Sequence, residues 1–141
     1  MIEDIRIEDA KKVITHDHSG NPNGHLIEMF KNGSLTTVYL SACSPGSFKG
    51  YHLHRVRAAN YIPLKGKMKI ILYKNQERQE YVLDAAKPQR LHIPPNVASG
   101  LHNIGDEEAW LVNFPNPPYD PDLKDEQIEY TEDELGAGII K

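Results

Sequence analysis

The sequence predicts an all-β fold, a sandwich or barrel with little helix, and three observations carry that prediction. Short segments rich in β-branched and aromatic residues recur at spacings of roughly 8–15 residues, with Gly, Pro or Asn between them. No stretch keeps a helical period, apart from short candidates at 8–13 and 120–135. Lys49-Gly50-Tyr51-His52-Leu53-His54 alternates as a strand does, so His52 and His54 are predicted to share one face.

Leu35-Thr36-Thr37-Val38-Tyr39-Leu40 is β-branched and opens after Gly33-Ser34. Lys49–His54 follows, and then Met68-Lys69-Ile70-Ile71-Leu72-Tyr73 after the turn Lys65-Gly66-Lys67. Asn75-Gln76-Glu77-Arg78 is a polar turn that pairs this strand with Tyr81-Val82-Leu83. Arg90-Leu91-His92-Ile93 and Ala109-Trp110-Leu111-Val112-Asn113-Phe114 complete the set. Ile93-Pro94-Pro95-Asn96 is a Pro-fixed turn, feeding a segment that carries Ser99 and His102.

At 141 residues the chain suits one domain, divided into an N-terminal strand region (1–34), a barrel (35–118) and an acidic C-terminal segment (119–141). The net charge of −4 argues against a nucleic-acid partner. Eight carboxylates and one Lys lie between Asp120 and Glu134, whereas residues 1–119 carry fourteen Lys or Arg against twelve Asp or Glu. A mildly positive body suits an anionic ligand, while the acidic run reads as a solvated tail. Cys43 is the one cysteine, which fits a reducing cytoplasm and a small core residue. No apolar run approaches the roughly 20 residues that span a bilayer, so no membrane partner is expected.

A metal site needs ligands that converge on one point. His52, His54 and His102 are the candidate set, yet three residues separate Ser99 from His102, an odd step that reverses the strand face. The alternative is a pair of hydrogen-bonding histidines without metal.

Four stretches together resemble a known family. They are Asn23-Gly24-His25-Leu26-Ile27-Glu28-Met29-Phe30, Lys49-Gly50-Tyr51-His52, Ile93-Pro94-Pro95-Asn96-Val97-Ala98-Ser99-Gly100, and Tyr119-Asp120-Pro121 with the later Ile128-Glu129-Tyr130. In this order and spacing they resemble the cupins typified by dTDP-4-dehydrorhamnose 3,5-epimerase and the related sugar-nucleotide 3,4-ketoisomerases. The resemblance implies a cupin double-stranded β-helix, a jelly-roll barrel. It implies a cofactor-free, metal-independent isomerase acting on a nucleotide-linked 4-keto-6-deoxy sugar in surface polysaccharide synthesis. It also implies a homodimer that exchanges its N-terminal strand.

His52 falls at the family's general base, and its ordinary pKa near neutrality suits that work. His54 is expected as second base or orienting partner, Tyr39 as acid and Lys49 as stabiliser of the enolate oxygen. Glu28 and Asn23 fall where the family holds the nucleotide, and His25 is placed to reach a partner's pocket. Arg55 and Arg57 are read as phosphate ligands at the barrel mouth or as solvated surface, with Tyr61, Asn113 and Tyr119 as further pocket residues. The epimerases' Lys and Tyr positions fall at Ala59 and near Asn113, and their Asp partner for the histidine has no counterpart. A cupin that binds a sugar nucleotide without catalysis is the alternative those departures leave open.

Overall fold

The computed structural model describes residues 1–17, 19–30 and 37–141, and only the backbone of Gly24 and Leu26. The described residues form β1 (Arg6–Asp9), β2 (Lys11–His16), β3 (Pro22–Glu28), β4 (Tyr39–Cys43), β5 (Phe48–His54), β6 (Ala59–Lys65) and β7 (Lys67–Lys74). They continue as β8 (Glu77–Asp84), β9 (Gln89–Ile93), β10 (Ala98–Asn103), β11 (Ala109–Asn113), β12 (Gln127–Glu129) and α1 (Glu132–Gly136). Two five-stranded antiparallel sheets, β1-β9-β6-β11-β4 and β12-β5-β10-β7-β8, pack face to face, and β2-β3 is a separate hairpin. This is the jelly roll the sequence predicts.

Three apolar clusters explain where each strand's residues go. Between the sheets lie Ile70, Leu72, Leu83, Leu91 and Leu111, each at most 1 % exposed. Outside the second sheet, Tyr51, Ile71, Tyr73, Ala98, Tyr130 and Leu135 form another cluster. The strand β7 therefore buries both faces, which is why it reads as a continuous apolar run and not as an alternation. Ala10, Ile62 and Val112 form the third cluster, where the chain around the hairpin covers the outer face of the first sheet.

Local chemistry sets the connections. Asn75 and Gln76 have φ of 51° and 67° between the paired Lys74 and Glu77, the two-residue turn whose twist suits a hairpin. Thr131 and Glu134 cap α1 reciprocally, and three carboxylates fill its first turn, where the helix end favours negative charge. Capping and the burial of Leu135 thus hold part of the acidic segment against the barrel.

Some expectations need correcting. Residues 8–9 and 11–13 belong to β1 and β2 and not to a helix, because β9 and β3 supply main-chain partners that outweigh a weak local preference. Within 120–135, only the stretch from Glu132 onward is helical, preceded by β12. The strand expected at 35–40 begins at Tyr39 and runs on through Ser41-Ala42-Cys43, which β11 pairs residue by residue. Its start at 35–36 lies outside the described residues. The barrel also draws edge strands from both flanking segments, β1 from the N-terminal region and β12 from the acidic one.

One irregularity decides what the interior presents. Ser99 pairs His52, but Leu101 pairs Lys49, so β5 carries two residues, Gly50 and Tyr51, opposite Gly100 alone. Such a bulge resets the alternation. Gly50 sits at φ 119°, and a Cβ there would lie 2.7 Å from the Ser99 carbonyl oxygen. Only glycine fits without strain. Gly50→Ala should lower stability by about 1–3 kcal/mol, read as a lower urea midpoint with an unchanged slope. A change within about 0.5 kcal/mol would show that the bulge does not require glycine.

Candidate active site

Strand pairing shows which side chains line the interior. Ser99 and Leu101 stand with Leu72 and Ile70 of the inter-sheet core, so their partners His52 and Lys49 face inward too. His54 follows by alternation. Tyr51 faces outward, its ring 5.1 Å from Phe48 and 5.5 Å from Tyr73. Without the bulge, the odd step between Lys49 and His52 would have put them on opposite faces.

The facing sheet contributes a second row. Tyr39 pairs Asn113, and Asn113 pairs Tyr61, so the three stand side by side across β4, β11 and β6. Tyr61 belongs to the inter-sheet core, and Ser99, the ladder partner of His52, is among the groups that influence its phenol. Burial pushes the Tyr61 phenol above its ordinary value, so it is a hydroxyl donor and not a phenolate. Tyr39 is exposed. Asn113 accepts a hydrogen bond from the Asn60 backbone N–H at 3.0 Å.

The two histidines have different surroundings. His52 Nδ1 lies 3.6 Å from Glu129 Oε1 and 3.4 Å from Gln127 Nε2, with Glu129 directly across the ladder on β12. Neither contact is short enough to fix the ring's protonation. His54 Nδ1 lies 2.9 Å from Arg57 Nη2. A guanidinium can only donate, so Nδ1 is the accepting atom of this contact. Burial, then the Arg57 charge, holds the His54 imidazolium pKa below its ordinary 6.5.

Beneath them is a buried ion pair. Arg57 Nε donates to Glu126 Oε1 at 2.7 Å, and the backbone N–H groups of Val56 and Arg57 reach Glu126 Oε2 at 3.2 Å. Burial alone would raise the Glu126 carboxyl, but the N–H groups and the guanidinium outweigh it and hold the pKa below the ordinary carboxylate value. The Arg57 guanidinium also lies 5.0 Å from the centre of the Tyr119 ring. The two sequence motifs meet here as well, because the Asn96 N–H donates to the His54 carbonyl at 2.7 Å.

The remaining expected residues are placed as follows. Lys49 faces inward and donates from Nζ to the Ala42 carbonyl at 2.9 Å. Arg57 turns to Glu126 and is not solvated surface, because an unpaired Glu126 carboxylate would be costly at 6 % exposure. Arg55 donates to the Lys141 carbonyl at 2.7 Å and lines a cavity of about 440 Å³ on the outer face, with Leu53, Tyr73 and Tyr130. Asn23 and Glu28 lie on the β2-β3 hairpin, where Asn23 Oδ1 accepts from Thr15 Oγ1 at 2.7 Å, and this chain does not bring them to His52. His25 lies exposed on that hairpin. Cys43 is fully buried, and that burial raises its thiol pKa, as befits a core residue.

His102 pairs Phe48, and their rings lie 6.3 Å apart on the outer face. The His52, His54 and His102 set therefore does not converge. Glu126 and Glu129 were not among the candidate site residues read from sequence, although Glu129 lies in the Ile128-Glu129-Tyr130 stretch that carries part of the resemblance. Glu129 places a carboxylate 3.6 Å from His52 Nδ1, on a strand other than those that carry the histidines.

Both His54 and Glu126 bind protons less readily folded than unfolded, so each contributes stability that is lost on acidification. For His54 the loss sets in below the ordinary 6.5, and for Glu126 below the ordinary 4.5. His92, also held low by burial, adds to the upper window. The urea midpoint should therefore fall as pH drops from about 7 to 5. His54→Gln should remove part of that slope, and an unchanged slope would mean His54 titrates normally.

Known proteins share this architecture. The chain is 25 % identical to the "Probable low-salt glycan biosynthesis epimerase Agl13" of Haloferax volcanii, over 92 % of this chain and 88 % of that protein. The crystal structure of a dTDP sugar isomerase from Desulfovibrio desulfuricans superposes with a TM-score of 0.75 at 19 % identity, covering 94 % of this chain and 87 % of that one. QdtA, a sugar 3,4-ketoisomerase from Thermoanaerobacterium thermosaccharolyticum solved with TDP, gives 0.74 at 20 % identity, covering 98 % and 96 %. Residues 19–127 match the model of the polysaccharide biosynthesis C-terminal domain, and the chain belongs to that family.

Proposed function

We propose that the protein is an isomerase of a nucleotide-linked 4-keto-6-deoxy sugar, an epimerase or 3,4-ketoisomerase of surface polysaccharide synthesis. The observation that carries this reading is the inward pair His52 and His54, with the Glu129 carboxylate 3.6 Å from His52 Nδ1. The epimerase relative, matched over most of both chains, supports the same class.

The chemistry is proton transfer next to a carbonyl. His52 takes a proton from the carbon beside the ketone, and the electron pair moves into an enolate whose oxygen needs a hydrogen-bond donor. Glu129 stabilises the imidazolium that forms. Returning the proton to the same carbon from the other face gives an epimer. Returning it to the neighbouring carbon through an enediol gives the shifted ketone. Neither outcome requires an oxidant or a reductant. Tyr39 and Tyr61 stand on the opposite sheet and suit proton return.

The nucleotide is held in part by a second copy of the chain, with Asn23 and Glu28 entering from the partner's hairpin. Val13 and Ile14 of this hairpin are 41 % and 52 % exposed, which suits burial against a partner. Sedimentation should then give a dimer of the 16.0 kDa chain. Among the described residues no helix is long and apolar enough to cross a membrane, and a buried lone cysteine fits a reducing cytoplasm.

Proton NMR in deuterated water tests the reaction, with dTDP-4-keto-6-deoxyglucose as substrate. The C3 signal should disappear with the intact protein, and His52→Ala should slow its loss by at least about 100-fold. Loss at C5 as well would specify a 3,5-epimerase. No exchange above the blank would leave a binding protein.

A further inference from the structure

We propose that Arg57 and Glu126 are positioning residues that lock His54 as a neutral Nε2–H donor, dividing the work between the two histidines. This rests on the reading of the site as a proton-transfer centre. Proton transfer then falls to His52, while His54 presents a fixed hydrogen to the substrate's carbonyl oxygen.

Arg57 Nη2 has no lone pair, so its 2.9 Å contact obliges His54 Nδ1 to accept. Glu126 Oε1, 3.5 Å from the same nitrogen, would favour a proton there if Arg57 were absent. The guanidinium therefore decides between two tautomers that the site would otherwise allow. Glu126 holds the guanidinium in turn, accepting Nε at 2.7 Å while the Val56 and Arg57 N–H groups fix its other oxygen. Arg57 and Glu126 are 8 % and 6 % exposed, so water does not compete for these bonds.

The groups facing His54 are Arg57, Glu126 and His52, and Gln127 is its ladder partner on β12. Gln127 belongs to the same device. Its Oε1 accepts from Arg57 Nη2 at 3.4 Å, which aims its Nε2 at His52. Among the described residues Nε2 of His54 has no protein partner, so its hydrogen is available to a ligand. A neutral imidazole N–H donor stabilises an enolate oxygen without giving up its proton, which leaves proton transfer to the other histidine.

The test reads the tautomer directly, by long-range proton–nitrogen NMR on histidine-labelled protein without substrate. In the intact protein His54 should show a bare Nδ1 and a protonated Nε2. Glu126→Gln should keep that pattern, because Arg57 still donates. Replacing Arg57 alone would bury an unpaired carboxylate, so the informative variant is the double Arg57→Met, Glu126→Gln, which removes both charges together. It should lose the fixed pattern, with both nitrogens sharing the proton.

A protonated Nδ1 in the intact protein, or an unchanged pattern in the folded double variant, would overturn the proposal. Where the intact protein exchanges substrate protons, the double variant should lower kcat about 10- to 100-fold with KM little changed. An equal fall in kcat for Glu126→Gln with its tautomer intact would contradict the positioning role. Absence of exchange in the intact protein would instead count against the proposed reaction, and the tautomer readings would still decide this proposal.

Discussion

The site depends on a constraint at Gly50, where no side chain can fit. With φ at 119° and the Ser99 carbonyl close by, β5 accommodates one extra residue against β10. That extra residue turns Lys49, His52 and His54 to the same side although their spacing is uneven. It also sends Tyr51 outward, where its ring anchors the cluster beneath α1. A regular strand would present either the lysine or the histidines to the interior, never all three.

Around that strand the fold builds two layers of support. The inter-sheet core fixes the separation between β5 and the facing row of Tyr39, Asn113 and Tyr61. The acidic C-terminal segment supplies the edge strand β12, and with it Glu129 and the buried Glu126. Charge that reads as a solvated tail is thus spent partly inside the molecule. Breaking the Arg57–Glu126 pair from one side alone would cost about 3–5 kcal/mol, so these residues serve stability as well as orientation.

Much of this was legible in the sequence, and the gaps have physical reasons. The His-x-His step specified a shared face, and the pairing of β5 with β10 put that face inside. The odd step to His102 correctly separated it from the other two. Arg57 was misplaced because period-two reasoning stops where the strand stops, and β5 ends at His54. Beyond it the chain turns, and Glu126, 69 residues later, draws the guanidinium inward. A contact of that sequence separation leaves no local signal. The same holds for Glu129, whose partner lies in another motif. The strand at 39–43 was misjudged at its end because Ser41-Ala42-Cys43 has little strand preference and owes its conformation to β11.

The central claim is that the interior face, and not the outer-face cavity, receives the nucleotide sugar. A crystal structure of the protein with thymidine diphosphate tests this most directly. The diphosphate should lie between the two sheets, directed toward His52 and His54, with room beside them for the sugar. A nucleotide seated instead between Tyr73, Tyr130 and the chain's last residues, with the interior empty, would contradict it.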